Sequence, residues 1–119
     1  MTYPNGPGGV SIHAVDIAAG EAAAGLSVAL LRVEGAEAIP VAEGVIAPDG
    51  HFDHAIRTGA GLSPGLYEAR FAIGAYYGRS GTATFLDTAP FRFRLAGGAE
   101  HLHLPLKFTP FGLMLFRGV

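Results

Sequence analysis

The stretch that decides the fold is His101-Leu102-His103-Leu104-Pro105-Leu106-Lys107-Phe108, in which apolar residues occupy every second position. Successive side chains of a β-strand point to opposite faces, so this alternation predicts a strand with one buried face. The predicted inner face consists of Leu102, Leu104, Leu106 and Phe108. The predicted outer face consists of His101, His103, Pro105 and Lys107.

Similar short segments recur along the chain. Phe91–Leu95 alternates as clearly, and the further candidate strands are Val10–Asp16, Leu26–Glu34, Ile39–Ile46, His51–Arg57, Leu66–Ile73 and Gly112–Phe116. Turn-forming residues such as Pro48-Asp49-Gly50 separate them. Seven or eight short strands with such connectors predict an all-β sandwich.

Helical signals are scarce, and the domain organisation is simple. Ala75–Arg79 can form a single helical turn, whereas Gly20 interrupts the alanine-rich segment Asp16–Ala24. We expect one domain over residues 10–119. Residues 1–9 contain three Gly and two Pro, which predicts a disordered tail.

Composition excludes several classes of protein. The 119 residues carry eight Lys or Arg against ten Asp or Glu, so there is no positive surplus for binding nucleic acid. The absence of cysteine excludes a disulfide scaffold and a thiolate metal site. No apolar run approaches the roughly 20 residues of a membrane helix, and the N-terminus lacks a secretory pattern, so we expect a cytoplasmic protein. Half of the residues are hydrophobic, which is high for a small domain and favours an oligomer.

The five histidines are the side chains best suited to chemistry: His13, His51, His54, His101 and His103. They can be solvated surface residues. The His101-x-His103 pair can also form half of a zinc or copper site, although no third ligand stands at a recognisable spacing. A pair of imidazoles can instead act as general base and general acid, because the pKa of histidine lies near neutrality.

Three segments narrow these alternatives: Ser11–Asp16 with its histidine, the turn Pro48–Gly50, and His101–Leu106 followed by the terminal Phe116-Arg117-Gly118-Val119. In this order and at this length they resemble the 5-hydroxyisourate hydrolases, also called transthyretin-related proteins. The resemblance extends from Val10 to Val119.

This resemblance implies a transthyretin-like sandwich of two antiparallel sheets, with about eight strands and one short helix. It also implies a homotetramer, a dimer of dimers, with its sites in a channel between the dimers. The implied activity is hydrolytic opening of the cyclic amide of 5-hydroxyisourate, in purine metabolism, with no cofactor and no metal. The family uses a first-strand His, an Arg after the Asp-Gly turn, the second His of His-x-His and a C-terminal Tyr-Arg-Gly-Ser. The matching positions here are His13, His51, His103 and Phe116–Val119.

The chain departs from the family's pattern at several of these positions. His51 replaces the family's Arg, and Phe116 and Val119 replace the terminal Tyr and Ser. Leu113-Met114-Leu115 stands where the family has Tyr-Ser-Thr. Lys107, the single lysine, occupies a position that is usually aliphatic. A site that loses hydroxyls and a guanidinium fork binds a polar heterocycle less well.

We therefore expect a divergent acid–base enzyme of this family. Its substrate would be a small, more apolar molecule, such as a specialised metabolite, and its reaction hydrolysis of a cyclic amide or lactone, isomerisation or cyclisation. The expected catalytic residues are His13, His103 and His51, and the expected substrate-binding residues are Lys107, Met114, Phe116, Arg117 and His101. One alternative is a genuine 5-hydroxyisourate hydrolase of urate catabolism, and a second is a non-enzymatic binder of a small ligand.

Overall fold

Two four-stranded sheets pack face to face in the computed structural model, which describes residues 8–96 and 100–118. The strands are β1 (Val10–Asp16), β2 (Glu21–Ala22), β3 (Ser27–Glu34), β4 (Glu37–Val45), β5 (Gly65–Ala72), β6 (Thr88–Leu95), β7 (Leu102–Phe108) and β8 (Leu113–Leu115). A 3-10 helix spans Ala55–Thr58, and the helix α1 spans Ile73–Gly78. The predicted all-β sandwich with about eight strands and one short α-helix is confirmed.

The first sheet has the strand order β2-β1-β7-β8, and the second has the order β4-β3-β5-β6. All pairings in the second sheet are antiparallel, as expected. In the first sheet, however, β1 and β7 run parallel, from Val10 opposite Leu102 to Asp16 opposite Phe108. These two strands are separated in sequence by the whole second sheet, and such a long connection permits a parallel pair.

The side chains of β7 alternate between the core and the outer face of the sheet, as the sequence predicts. Leu102, Leu104, Leu106 and Phe108 are buried in the core between the sheets. Neighbouring β1 buries Val10, Ile12 and Ala14 on the same side. The opposite face of the β1–β7 pair therefore presents the polar residues of both strands, and the histidines lie there.

The segment His51–Arg57, expected as a strand, has a different structure. Only His51 forms a β-bridge, which it makes to His13. The chain then enters the 3-10 helix, where His54 Nδ1 accepts a hydrogen bond from Ile56 N at 3.1 Å. Gly59 ends the helix with a positive φ of 94°, and Ile56 is fully buried. A side-chain cap and a glycine stop together favour this turn over an extended strand.

Helix α1 is fixed to β1 through the buried carboxylate of Asp16. Tyr76 and Tyr77 donate their hydroxyls to this carboxylate at 3.0 and 2.8 Å. Burial, followed by the hydrogen bond to Asp16, raises the pKa of Tyr76 to about 12. The same causes raise the pKa of Tyr77 further. Both tyrosines therefore remain neutral donors that hold the helix on the sheet.

The predicted tail lies mostly outside the described residues, which begin at Gly8. Gly8 and Gly9 are buried, and the carbonyl of Gly9 accepts a hydrogen bond from Leu102 N at 2.9 Å. Neither helix in the described part of the chain is long and apolar enough to cross a membrane.

Candidate active site

The parallel register of β1 and β7 brings the histidine of the first strand and the His-x-His histidine of β7 to one face. Ser11 lies opposite His103, and His13 lies opposite Pro105. Because residues two apart on a strand share a face, Ser11, His13 and His103 all project away from the core. Two segments that are about 90 residues apart in sequence thus form a single surface.

A tight turn positions His51 beside His13. Gly50 adopts a φ of 91°, a conformation that glycine tolerates best, and the Asp49 carboxylate accepts a hydrogen bond from His51 N at 3.0 Å. The turn is fixed to β1 because Ala14 N donates to the Gly50 carbonyl at 2.9 Å. The imidazole centroids of His13 and His51 lie 4.7 Å apart. A Cβ at position 50 would lie 2.6 Å from His13 Nε2, so this glycine is required by the neighbouring imidazole as well as by its own φ.

Ser11 links the two histidines of the His-x-His motif. Its Oγ lies 2.7 Å from His103 Nδ1 and 2.9 Å from His101 Nε2. One hydroxyl has a single proton to donate, so at most one of the two rings accepts from it and the other ring donates to it. If Ser11 accepts from His103 Nδ1–H, the lone pair of His103 is on Nε2. This tautomer is the one that a general base needs.

The environment of His103 favours its neutral form. Burial lowers the pKa of His103, and the neighbouring His13, His101 and His51 lower it further. The pKa of His101 is lowered by burial and by the positive charge of Arg57. Near neutral pH both rings are therefore uncharged, and His103 is available to take a proton.

The C-terminal segment closes against His103. Gly118 N donates to the His103 carbonyl at 2.7 Å, and the two residues form a β-bridge. A Cβ on Gly118 would lie 2.8 Å from His103 Cδ2. The glycine of the predicted terminal motif thus allows the backbone to pack directly on the imidazole.

These residues border an open depression on the protein surface. Its lining comprises Ser11, His51, Asp53, His54, Arg57, Thr58, His101 and His103. His13 is not among these lining residues, but its ring contacts that of His51, which is. Sequence reasoning missed Ser11, although strand alternation places it on the face of His13. It also missed Asp53, Arg57 and Thr58, which lie in or next to the 3-10 helix that was not predicted.

Four of the predicted substrate-binding residues lie elsewhere in the single chain. Lys107 is four residues from His103 along β7, roughly 13 Å at the usual strand rise, and pairs with Val15 and Met114. Met114 and Phe116 are 58% and 40% exposed. Arg117 Nη2 lies 3.4 Å from Glu100 Oε2. The fifth, His101, lines the depression as predicted.

The histidines do not form a recognisable metal-binding cluster. Within residues 8–96 and 100–118, no group of three or more His, Asp or Glu side chains is arranged to hold a metal ion. His54 instead caps the 3-10 helix, and its ring stacks on Phe52 at 5.5 Å. The arrangement is suited to proton transfer at a small molecule, with a neutral imidazole and a second imidazole on the adjacent strand.

Comparisons with known proteins show which proteins this chain resembles. The chain is 39% identical over 115 residues to a protein from Mesorhizobium japonicum named 5-hydroxyisourate hydrolase, covering 93% of this chain and 92% of the relative. A protein of the same name from Halalkalibacterium halodurans is 38% identical over 116 residues, covering 93% of this chain and 98% of the relative.

Solved structures show the same fold. The 5-hydroxyisourate hydrolase of Klebsiella pneumoniae superposes with a TM-score of 0.77 at 29% identity, covering 94% of each chain. A crystal structure of (S)-allantoin synthase gives a TM-score of 0.84 at 30% identity. The match covers all of this chain but only 46% of the length of the (S)-allantoin synthase chain. The sequence model of the HIUase/Transthyretin family matches residues 10–118, and this chain belongs to that family.

Proposed function

We propose that this protein is a 5-hydroxyisourate hydrolase, which opens the cyclic amide of its substrate by attack of water. The observation that carries the proposal is the placement of His13 and His103 on adjacent parallel strands. His103 lines the surface depression, and His13 is in ring contact with His51, which lines it too. The name shared by the relatives supplies the substrate.

In this proposal His103 acts as the general base. It takes a proton from water through Nε2, and the resulting hydroxide adds to the amide carbonyl carbon. The carbon–nitrogen bond then breaks, and the leaving nitrogen receives a proton from the imidazole pair. The reaction consumes one water molecule and requires no cofactor. In this role Nδ1–H of His103 donates to Ser11 Oγ, which leaves the lone pair on Nε2.

The two imidazoles have different surroundings, which supports different roles. The ring of His103 is held by Ser11, and its pKa is lowered by burial. His13 contacts the ring of His51, which occupies the position of the family's arginine. We assign His13 to orienting the water and to protonating the leaving nitrogen.

The alternative substrate, a more apolar specialised metabolite, receives less support. That hypothesis rests on the lost arginine and hydroxyls and on Met114 and Phe116 as lining of a channel between copies of the chain. The names of the relatives favour 5-hydroxyisourate over an apolar substrate.

We propose further that copies of this chain assemble through the exposed apolar side of β8. β8 is an edge strand, and its surroundings expose Phe85, Phe111, Leu113, Met114 and Phe116. An exposed apolar patch beside an unpaired edge favours association. Assembly as the homotetramer expected from the family would cover these residues. Leu113→Glu should then lower the mass measured by sedimentation equilibrium, whereas an unchanged mass would refute this interface.

The activity is tested by following the decay of freshly generated 5-hydroxyisourate. Wild type should accelerate the decay, and His103→Gln and His13→Gln should each abolish most of the acceleration. Arg94→Ala on β6, in the other sheet, is the control and should keep the wild-type rate. A wild-type protein that leaves the spontaneous rate unchanged would refute the proposed function.

A further inference from the structure

Among the described residues that line the depression, one side chain carries a permanent positive charge, and it comes from an unexpected position. Where the family has an arginine, this chain has His51. Among the described residues that line the depression, Arg57 is the single Lys or Arg. Hydrolysis of an amide places negative charge on the carbonyl oxygen, and a fixed donor stabilises that charge strongly.

The backbone of Arg57 is held firmly beside the site. Its N–H donates to the His54 carbonyl at 3.1 Å within the 3-10 helix. Its carbonyl packs directly against the backbone of Gly9, where an added Cβ would clash with the carbonyl oxygen. This close approach fixes the helix against the start of β1.

The guanidinium, in contrast, is held only weakly. Nη1 lies 3.6 Å from Asp53 Oδ1, and the two side chains are 47% and 84% exposed. Exposed pairs of this kind contribute little to stability, so the guanidinium is free to exchange this carboxylate for another oxygen. Its charge already acts on the site, since it contributes to the lowered pKa of His101.

We propose that Arg57 binds the substrate oxygen that becomes negative during hydrolysis, and so replaces the arginine missing at position 51. This assignment rests on the proposed function. A planar guanidinium donates two parallel hydrogen bonds to carbonyl or enolate oxygens, which imidazole cannot do. The ligand is therefore a small heterocycle that either carries several carbonyl oxygens or is an anion.

Four variants test this role through the rate of 5-hydroxyisourate decay: Arg57→Ala, Arg57→Lys, Arg94→Ala and the double variant His51→Arg/Arg57→Ala. Arg57→Ala should lower kcat/KM roughly 100-fold, the usual effect of losing one oxyanion donor. Arg57→Lys keeps the charge without the fork and should give an intermediate rate. Arg94→Ala should stay within twofold of wild type. The double variant restores a guanidinium at position 51. Its kcat/KM should be at least tenfold higher than that of Arg57→Ala.

The outcomes separate this inference from the proposed function. A wild-type protein that accelerates the decay, together with an Arg57→Ala rate within twofold of it, would overturn the role of Arg57 alone. If wild type shows no acceleration, the proposed function fails, and calorimetric binding of urate then tests Arg57. Weaker binding of urate to Arg57→Ala than to wild type would support the inference. Equal binding, or no binding to wild type, would overturn it.

Discussion

Gly118 packs against the imidazole of His103 so closely that an added Cβ would lie 2.8 Å from His103 Cδ2 and 3.1 Å from Pro105 Cδ. Gly118 N donates a hydrogen bond to the His103 carbonyl, with an N···O distance of 2.7 Å, and this bond holds the glycine beside the imidazole. The orientation of the proposed general base therefore depends on the absence of a side chain at position 118.

Gly118→Ala should displace the His103 ring and lower kcat/KM by about 10- to 100-fold, because small errors in the position of a catalytic group are costly. Gly78→Ala is the matched control, since a Cβ there meets nothing within 4 Å. Steady-state kinetics on both variants checks this expectation. Equal rates for the two variants would show that the glycine does not position His103.

Ser11→Ala removes the hydroxyl that bridges His101 and His103. A neutral hydrogen bond contributes about 1 kcal/mol, so we expect kcat to fall about fivefold with KM little changed. The tautomer of His103, measured by nitrogen NMR, should become mixed. Ser11→Thr keeps the hydroxyl and should retain both the rate and the tautomer. A pure, unaltered tautomer in Ser11→Ala would rule out this role for Ser11.

The lowered pKa values of His101 and His103 predict how rate and stability change with pH. His103 remains neutral down to pH values below its ordinary pKa of about 6.5, so the rate should stay constant to about pH 6.5 and fall only under more acidic conditions. The unfolded chain, in which these pKa values are ordinary, binds protons first as the pH drops. The free energy of unfolding should therefore reach its highest value above about pH 6.5. It should decrease as the pH falls towards the lowered pKa values that the two histidines have in the folded protein.

Urea denaturation between pH 5 and 8 measures this stability effect. The double variant His101→Gln/His103→Gln serves as the control, because it lacks both titrating groups. Its unfolding free energy should depend less on pH over the same interval. A wild-type stability that rises on acidification from pH 7 to 6 would contradict the lowered pKa values.

Asp16→Ala should destabilise the protein by about 3 kcal/mol, because it leaves the hydroxyls of Tyr76 and Tyr77 without their buried acceptor. Asp53→Ala is the control, since that carboxylate is largely exposed. Surface substitutions of this kind usually change stability by less than about 0.5 kcal/mol. Urea denaturation distinguishes the two, and similar midpoints would show that Asp16 does not anchor α1.

Local alternation predicted much of the sandwich. In β7 every second residue is apolar, so its buried face follows from the sequence alone. The parallel pairing of β1 with β7 did not follow, because it joins segments far apart in the chain. The turn at Ala55–Thr58 was missed because His54 caps it with a side chain, an interaction that an alternating pattern does not reveal.

The candidate site was predicted in part, for the same physical reasons. His13, His51 and His103 could be placed by strand alternation together with the family resemblance. Arg57 could not, because its position depends on the 3-10 helix that the His54 side chain caps. The predicted contacts of Lys107 and Met114 with the substrate stay predictions, since both lie outside the depression of the single chain.

In the proposed mechanism, His103 activates water for attack on 5-hydroxyisourate. The most direct measurement is the rate and mass of the product formed in water labelled with oxygen-18, with wild type and with His103→Gln. Wild type should form a product carrying one labelled oxygen far faster than the spontaneous reaction, and His103→Gln should approach the spontaneous rate. A product formed without solvent oxygen, or equal rates for wild type and His103→Gln, would contradict this mechanism.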